Sequence, residues 1–226
     1  MNLTALVSGG KDSIFAAHLA EIQGWTVDEL VTVKPSDPES MMFHTPNLHL
    51  VELQAAAWGK KFRAVDAPGS GEVADSRAVE SALTSGSDWV SAGAIASSYQ
   101  WARLHRAAFR TGRRVFAPLW GKSAGNVVRE EIASGLDIRL VHLSAEPLGA
   151  DLAGARLDAA RLADLERRSA ERRPIHLAGE GGEFETLVVD APFFRQRIDL
   201  VRTEVVSSGA ATTFVVKEAR LVPKGS

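Results

Sequence analysis

The chain has 226 residues, is 45% hydrophobic and 24% charged, and carries a formal net charge of −2 from 26 basic and 28 acidic residues. That length and apolar content suffice to bury a full core, in one large domain or two unequal ones, and the near-balanced charge gives no general pull toward nucleic acid or an anionic membrane. The absence of cysteine excludes disulfides, thiolate metal sites and sulfur transfer through a persulfide on the chain itself.

No run approaches ~18 apolar residues and no basic segment precedes the first strand-like run, so neither a membrane span nor a secretory signal is expected, and the expected compartment is the cytoplasm. The histidines form no His-x-x-x-His pair, which speaks against a histidine zinc site.

Leu3 to Ser8 reads as the first strand, a short apolar run that leads into Ser8-Gly9-Gly10-Lys11-Asp12-Ser13 and a helix over 12–23. Two glycines let the backbone approach an anion closely and adopt positive φ. The free N–H groups at the helix start point at that anion, and the helix dipole favours its charge. An ordinary strand-to-helix turn with acidic and hydroxyl residues in the first helical turn is the plainer alternative. The other common phosphate loop, Gly-x-x-x-x-Gly-Lys-Ser/Thr, is not met: Gly121-Lys122-Ser123 has Phe116 where the first glycine belongs.

Strands follow at Glu29 to Lys34, Phe62 to Val65, Trp89 to Ala92 and Val115 to Leu119, alternating with helices over 47–58, 72–84 and 97–111. This alternation predicts βαβ units and a parallel sheet. In such sheets ligands bind beyond the carboxyl ends of the strands, the edge that holds the Gly-Gly loop, the long loop from Pro35 to Pro46 and the segment around Gly93. His44 in that long loop is a candidate substrate contact, and Asn47 is placed to cap the next helix. Gly93-Ala94-Ile95-Ala96-Ser97-Ser98-Tyr99-Gln100 again sets small residues and helix N–H donors at the ligand edge. Beyond it Arg103, Arg106 and Arg110 share one helix face, whose usual meaning is a solvated surface.

After Gly121 the alternation weakens. A helix near 124–134, a strand near 138–143, an arginine-rich helix near 155–171 and β-like runs near 184–189, 197–206 and 212–221 predict a smaller α+β domain. The domains are thus expected at 1–120 and 121–226. Gly179-Glu180-Gly181-Gly182-Glu183-Phe184-Glu185-Thr186 sets three carboxylates around adjacent glycines before an apolar run. Such a segment can bind Mg²⁺ through oxygen ligands or receive a cationic or amine group, or can be an acidic turn that enters a strand.

The Ser8 to Ser13 loop is similar to the pyrophosphate loop of the N-type ATP pyrophosphatases, which cleave ATP between the α and β phosphates. Together with Met42-Phe43-His44-Thr45-Pro46-Asn47, Gly93 to Arg103, Pro118-Leu119-Trp120 and the Gly179 to Thr186 block followed by Asp190-Ala191-Pro192, the chain resembles the diphthine–ammonia ligase family. Those blocks come in the family's order. One departure is Ala178, where relatives often have a cysteine, and it argues against a role for a thiol.

The resemblance implies an α/β fold with a doubly wound, Rossmann-like parallel sheet of five strands and a smaller carboxy-terminal α+β domain. It also implies ATP-dependent amidation of the diphthine carboxylate on translation elongation factor two by ammonia, with AMP and pyrophosphate released. It assigns Ser8, Gly9, Gly10 and Ser13 to phosphate, Lys11 to charge neutralisation and Asp12 to Mg²⁺ or loop order. Gly93 and Ala94 fall to ribose or α-phosphate, backbone near Val33 to adenine, and Glu180, Glu183 and Glu185 to acceptor or metal. His44, Asn47, Tyr99, Gln100 and Arg103 fall to the acceptor side. Ammonia would come from solution or a partner, and self-association is left open. Two other readings stay open: an AMP-forming ligase that acts on a small molecule or RNA, and a non-catalytic adenine-nucleotide sensor.

Overall fold

The computed structural model describes residues 1–36, 47–146, 148–172 and 174–225. Its first half is a parallel sheet of β1 (Asn2–Leu6), β2 (Thr26–Pro35), β3 (Lys61–Ala67), β4 (Trp89–Ser91) and β5 (Arg114–Phe116), in the order β3-β2-β1-β4-β5. The helices between them are α1 (Lys11–Ile22), α2 (Val51–Trp58), α3 (Gly71–Leu83) and α4 (Ser98–Thr111). Both faces of the sheet are covered, as a parallel sheet requires. Leu3, Ala5 and Val7 pack with Ile14 and Phe15 of α1 on one side, while Val90 packs with Leu104 and Ala107 of α4 on the other. The fold is therefore the doubly wound α/β type, and its strand order reverses between β1 and β4, the switch point where such sheets bind ligands.

The second half holds α5 (Ala124–Ala133), β6 (Asp137–Leu143), α6 (Ala159–Glu171), β7 (Phe184–Asp190), β8 (Gln196–Ser208) and β9 (Ala211–Pro223). Its strands form a separate antiparallel sheet in the order β7-β6-β9-β8. One apolar cluster runs through both halves, joining Leu3, Ile14 and Phe15 to Val127, Val128, Ile138, Leu140 and Val188. The two sheets are thereby fixed against each other.

Local chemistry moves two element starts. The segment over 47–58 opens with a 3₁₀ turn at Leu48–Leu50 before α2, because Asn47 adopts the left-handed conformation at φ 60, which asparagine tolerates better than most residues. α6 starts at Ala159 because Asp158 caps it, accepting from the N–H of Arg161 at 2.8 Å.

Candidate active site

The phosphate-type loop takes its shape from glycine. Gly9 has φ +84, and a Cβ on Gly10 would stand 3.3 Å from both the carbonyl and the hydroxyl oxygen of Thr186. The loop is bolted to β7: Val188 N–H and Gln54 Nε2 donate to the Gly9 carbonyl at 3.0 and 2.9 Å, and Gln54 Nε2 also reaches the Val188 carbonyl at 2.7 Å. Lys11 N–H donates to Thr186 Oγ1 at 3.1 Å, and Ser13 Oγ to the Gly10 carbonyl at 3.1 Å. No side chain caps α1, so among the described residues the N–H groups of Asp12 and Ser13 have no assigned acceptor. These are the donors an anion would meet at a helix start.

The loop closes one side of a cavity of about 430 Å³ at the switch point, with Ser8, Gly10, Asp12 and Ser13 in its wall. Thr32 and Val33 of β2, Gly93 and Ala94 after β4, and the stretch from Ala178 to Gly182 with Glu185 and Thr186 also line it. Gly93 is fixed by sterics, since a Cβ there would lie 2.5 Å from both Ser13 N and Asp12 C. The two strand-end turns therefore touch backbone to backbone. Glu180 reaches from the second half of the chain to the turn after β4, accepting from Ile95 N–H and Ala96 N–H at 2.6 Å each. Among the described residues the charged side chains in the wall, Asp12, Glu180 and Glu185, are all carboxylates.

Lys11 is placed otherwise than the phosphate-neutralising role requires. Its side chain is fully buried, its Nζ donates to both Asp12 oxygens at 2.7 Å and to the Ala178 carbonyl at 2.8 Å, and Glu131 Oε2 lies 3.8 Å away. Burial opposes its charge, but Asp12, Glu131 and Glu180 outweigh that and raise its pKa. Burial also lifts the Glu131 carboxyl well above the usual carboxylate range; the nearby Asp12 adds to this and Lys11 opposes it.

Sequence reasoning missed Glu131, yet a signal was present: it shares the α5 stripe of Val127 and Val128, an acidic residue at an apolar position.

Ser8, Gly10, Asp12, Ser13, Val33, Gly93, Ala94, Gln100, Glu180 and Glu185 are thus gathered in one cavity wall. Others are not. Gly9 faces β7 through its carbonyl. Glu183 accepts from His176 N–H at 2.9 Å outside the wall. Asn47, expected on the acceptor side or as a cap, turns its amide to β9, donating to the Phe214 carbonyl at 2.8 Å and accepting from Val216 N–H at 2.7 Å. Tyr99 donates to Asp75 Oδ2 at 3.1 Å. Arg103 is buried rather than solvated: it packs over the Tyr99 ring at 3.2 Å and pairs with Glu72 at 2.7 Å. Both therefore tie α4 to α3. His44 lies outside the described residues.

A family model described as the diphthamide synthase N-terminal domain matches residues 1–115, and one described as the diphthamide synthase C-terminal domain matches residues 124–222. The chain belongs to the diphthamide synthase family. Among curated family relatives, a diphthine–ammonia ligase of Danio rerio is 30% identical over 91% of this chain and 89% of its own length. The Homo sapiens diphthine–ammonia ligase is 27% identical over 93% of this chain and 86% of its own. A solved structure described as a predicted subunit of tRNA methyltransferase from Methanocaldococcus jannaschii aligns with a TM-score of 0.47 at 16% identity, covering 85% of this chain and 98% of that one. That last likeness is too distant to bear on function. Among the described residues of this diphthamide synthase family member, no helix is long and apolar enough to cross a membrane.

Proposed function

We propose that this chain is a cytoplasmic ATP-dependent ligase that joins ammonia to the diphthine carboxylate of translation elongation factor two, releasing AMP and pyrophosphate. The observation that carries this reading is the single cavity in which a helix-start donor nest, Gly10 to Ser13, opposes the acidic Gly179 to Thr186 segment. The names of the family relatives, diphthine–ammonia ligases, support the choice of acceptor.

A carboxylate is a poor acceptor for ammonia until one of its oxygens becomes a leaving group. Attack of that oxygen on the α-phosphate displaces pyrophosphate and gives an acyl-adenylate, from which ammonia then displaces AMP. The free N–H groups of Asp12 and Ser13 stabilise charge on the departing pyrophosphate by preorganised dipoles. With Lys11 already held by carboxylates, these main-chain donors take the larger share. Val33 suits the base: Val7 N–H donates to the Val31 carbonyl at 2.8 Å, and alternation along β2 turns the peptide groups of Val33 to the same side, past the end of β1.

Asp12 fits a Mg²⁺ ion. Each of its oxygens accepts from Lys11 and retains a second lone pair, and Mg²⁺ is usually held by one or two carboxylates together with substrate phosphates. When bound, the ion would neutralise developing phosphate charge. In this reading Glu185, a wall carboxylate, takes the proton that ammonia sheds as its nitrogen bonds to carbon, while Glu180 holds the 95–96 turn.

The test is to incubate the chain with ATP, Mg²⁺, ammonium and diphthine-bearing elongation factor, then weigh the factor by mass spectrometry. Replacement of a carboxyl hydroxyl by an amide is the expected change. An unchanged factor under conditions where the chain binds ATP would overturn the assigned acceptor.

A further inference from the structure

Three of the five tryptophans build the core: Trp58 lies within the large apolar cluster, and Trp25 and Trp89 pack against it. Trp101 and Trp120 belong to none of the apolar clusters among the described residues. They stack on each other instead, half-buried, with ring centroids 4.0 Å apart and planes 19° from parallel. His105 packs its ring against Trp101 at 4.1 Å, and one turn further along α4 Phe109 is 87% exposed. Residues four apart are neighbours on a helix surface, so Trp101, His105 and Phe109 form an aromatic strip outside the core. Leu104, Ala107 and Ala108 hold α4 to the sheet from its other side.

The strip starts beside the cavity. Gln100 and Leu104, neighbours of Trp101 in α4, line the cavity wall. The segment that carries Trp120 is tied to the turn that Glu180 grips, Gly121 N–H donating to the Ile95 carbonyl at 2.8 Å. A protein acceptor can deliver one side chain to the cavity only by laying its neighbouring surface on the rim. Exposed aromatic residues are frequent anchors of such contacts, and rings already stacked lose less freedom on binding. The charges around the strip select the kind of partner. Arg103, Arg110, Arg113 and Lys122 are paired with Glu72, Glu80, Asp88 and Glu130, which leaves little free positive charge for a nucleic-acid backbone. Arg106, exposed beside the strip, has no carboxylate partner among the described residues. A strip about 12 Å long and about 10 Å wide offers a fraction of the ~800 Å² that each partner gives to a standard interface. That is too little for a permanent dimer and suits a substrate that docks and leaves.

We propose that the α4 strip of Trp101, His105 and Phe109, with Trp120, is the docking surface for the acceptor protein, which meets it with apolar side chains and sets an acidic one against Arg106. This rests on the reading of the chain as a ligase whose acceptor is elongation factor two.

The experiment measures amidation of diphthine-bearing elongation factor by wild type, Phe109→Asp, Phe109→Leu and Arg106→Glu at saturating Mg-ATP and ammonium, alongside thermal unfolding and Mg-ATP titration of each. Both positions are exposed, so the variants should unfold with wild type and keep its affinity for Mg-ATP. Phe109→Asp and Arg106→Glu are each expected to raise KM for the factor about tenfold at unchanged kcat, while Phe109→Leu keeps the wild-type KM. Wild-type KM in Phe109→Asp would overturn the proposal and leave the ligase reading intact. So would a Phe109→Asp variant that dissociates a dimer, or loses RNA binding, at unchanged KM. A wild-type chain that leaves the factor unamidated would overturn both.

Discussion

The Lys11 ammonium lies 2.8 Å from the carbonyl oxygen of Ala178, which joins the first turn of α1 to the threshold of the acidic segment in the other half of the chain. With Asp12 and Glu131 around it, this cation is a buried tie between the two walls of the cavity. Removing one member of a buried ionic cluster typically costs about 3–5 kcal/mol, whereas replacing the pair by apolar groups is often neutral. Lys11→Met, which leaves Asp12 without its cation, should lower the unfolding free energy by about that amount in urea denaturation. A single Lys11→Met variant as stable as wild type would show that the tie does not hold the halves together.

Gly93 predicts a steric effect at the same seam. Backbone atoms of Asp12 and Ser13 meet any added Cβ at 2.5 Å, and backbone at a helix start cannot move aside as a flexible side chain would. Gly93→Ala should destabilise the chain by about 1–3 kcal/mol and weaken Mg-ATP binding. Denaturation and titration of the same preparation check both effects.

Asn47 should prove a clamp and not an acceptor contact. Asn47 is buried, and its two bonds to β9 are buried at Val216 and part-buried at Phe214; leaving buried groups unpaired costs about 1–3 kcal/mol. Asn47→Ala is expected to lose stability in that range while the folded fraction keeps wild-type KM for the acceptor. A raised KM at unchanged stability would return Asn47 to the acceptor side.

His18 supplies a pH dependence. Burial lowers its pKa below 6.5, with Glu21 opposing, and its ring stacks on Phe193 at 3.9 Å. Between the lowered value and 6.5 the unfolded chain binds more protons than the folded one. The stabilisation is therefore present above the ordinary imidazole pKa and lost as pH falls through the folded one. From about pH 7 to pH 5 the unfolding temperature of wild type should fall more steeply than that of His18→Phe. Parallel slopes would contradict the assignment.

The parallel sheet was legible because each strand and helix carries its own period and the Gly-Gly turn marks where β1 becomes α1. The placement of Ser8, Gly10, Asp12 and Ser13 beside Gly93 follows from that topology, since strand ends of such a sheet share one edge. The inward turn of Lys11 was not legible. It depends on Glu131, a partner distant in the chain whose only local mark is an acidic residue on an apolar stripe. Asn47 misled for the opposite reason: its type suits a cap, but its left-handed backbone points the amide at β9. Neighbouring glutamates diverged as well, Glu183 turning to His176 N–H while Glu185 lines the cavity. The order β7-β6-β9-β8 likewise has no local sequence mark, because antiparallel pairing joins segments far apart in the chain.

The central claim is that the donor nest at Gly10 to Ser13 holds the triphosphate tail so that scission falls between the α and β phosphates. The direct measurement is to resolve the nucleotide products when the chain turns over ATP with Mg²⁺, ammonium and diphthine-bearing elongation factor. AMP and pyrophosphate in equal amounts, matching the amide formed, is the predicted result. ADP with inorganic phosphate would contradict it.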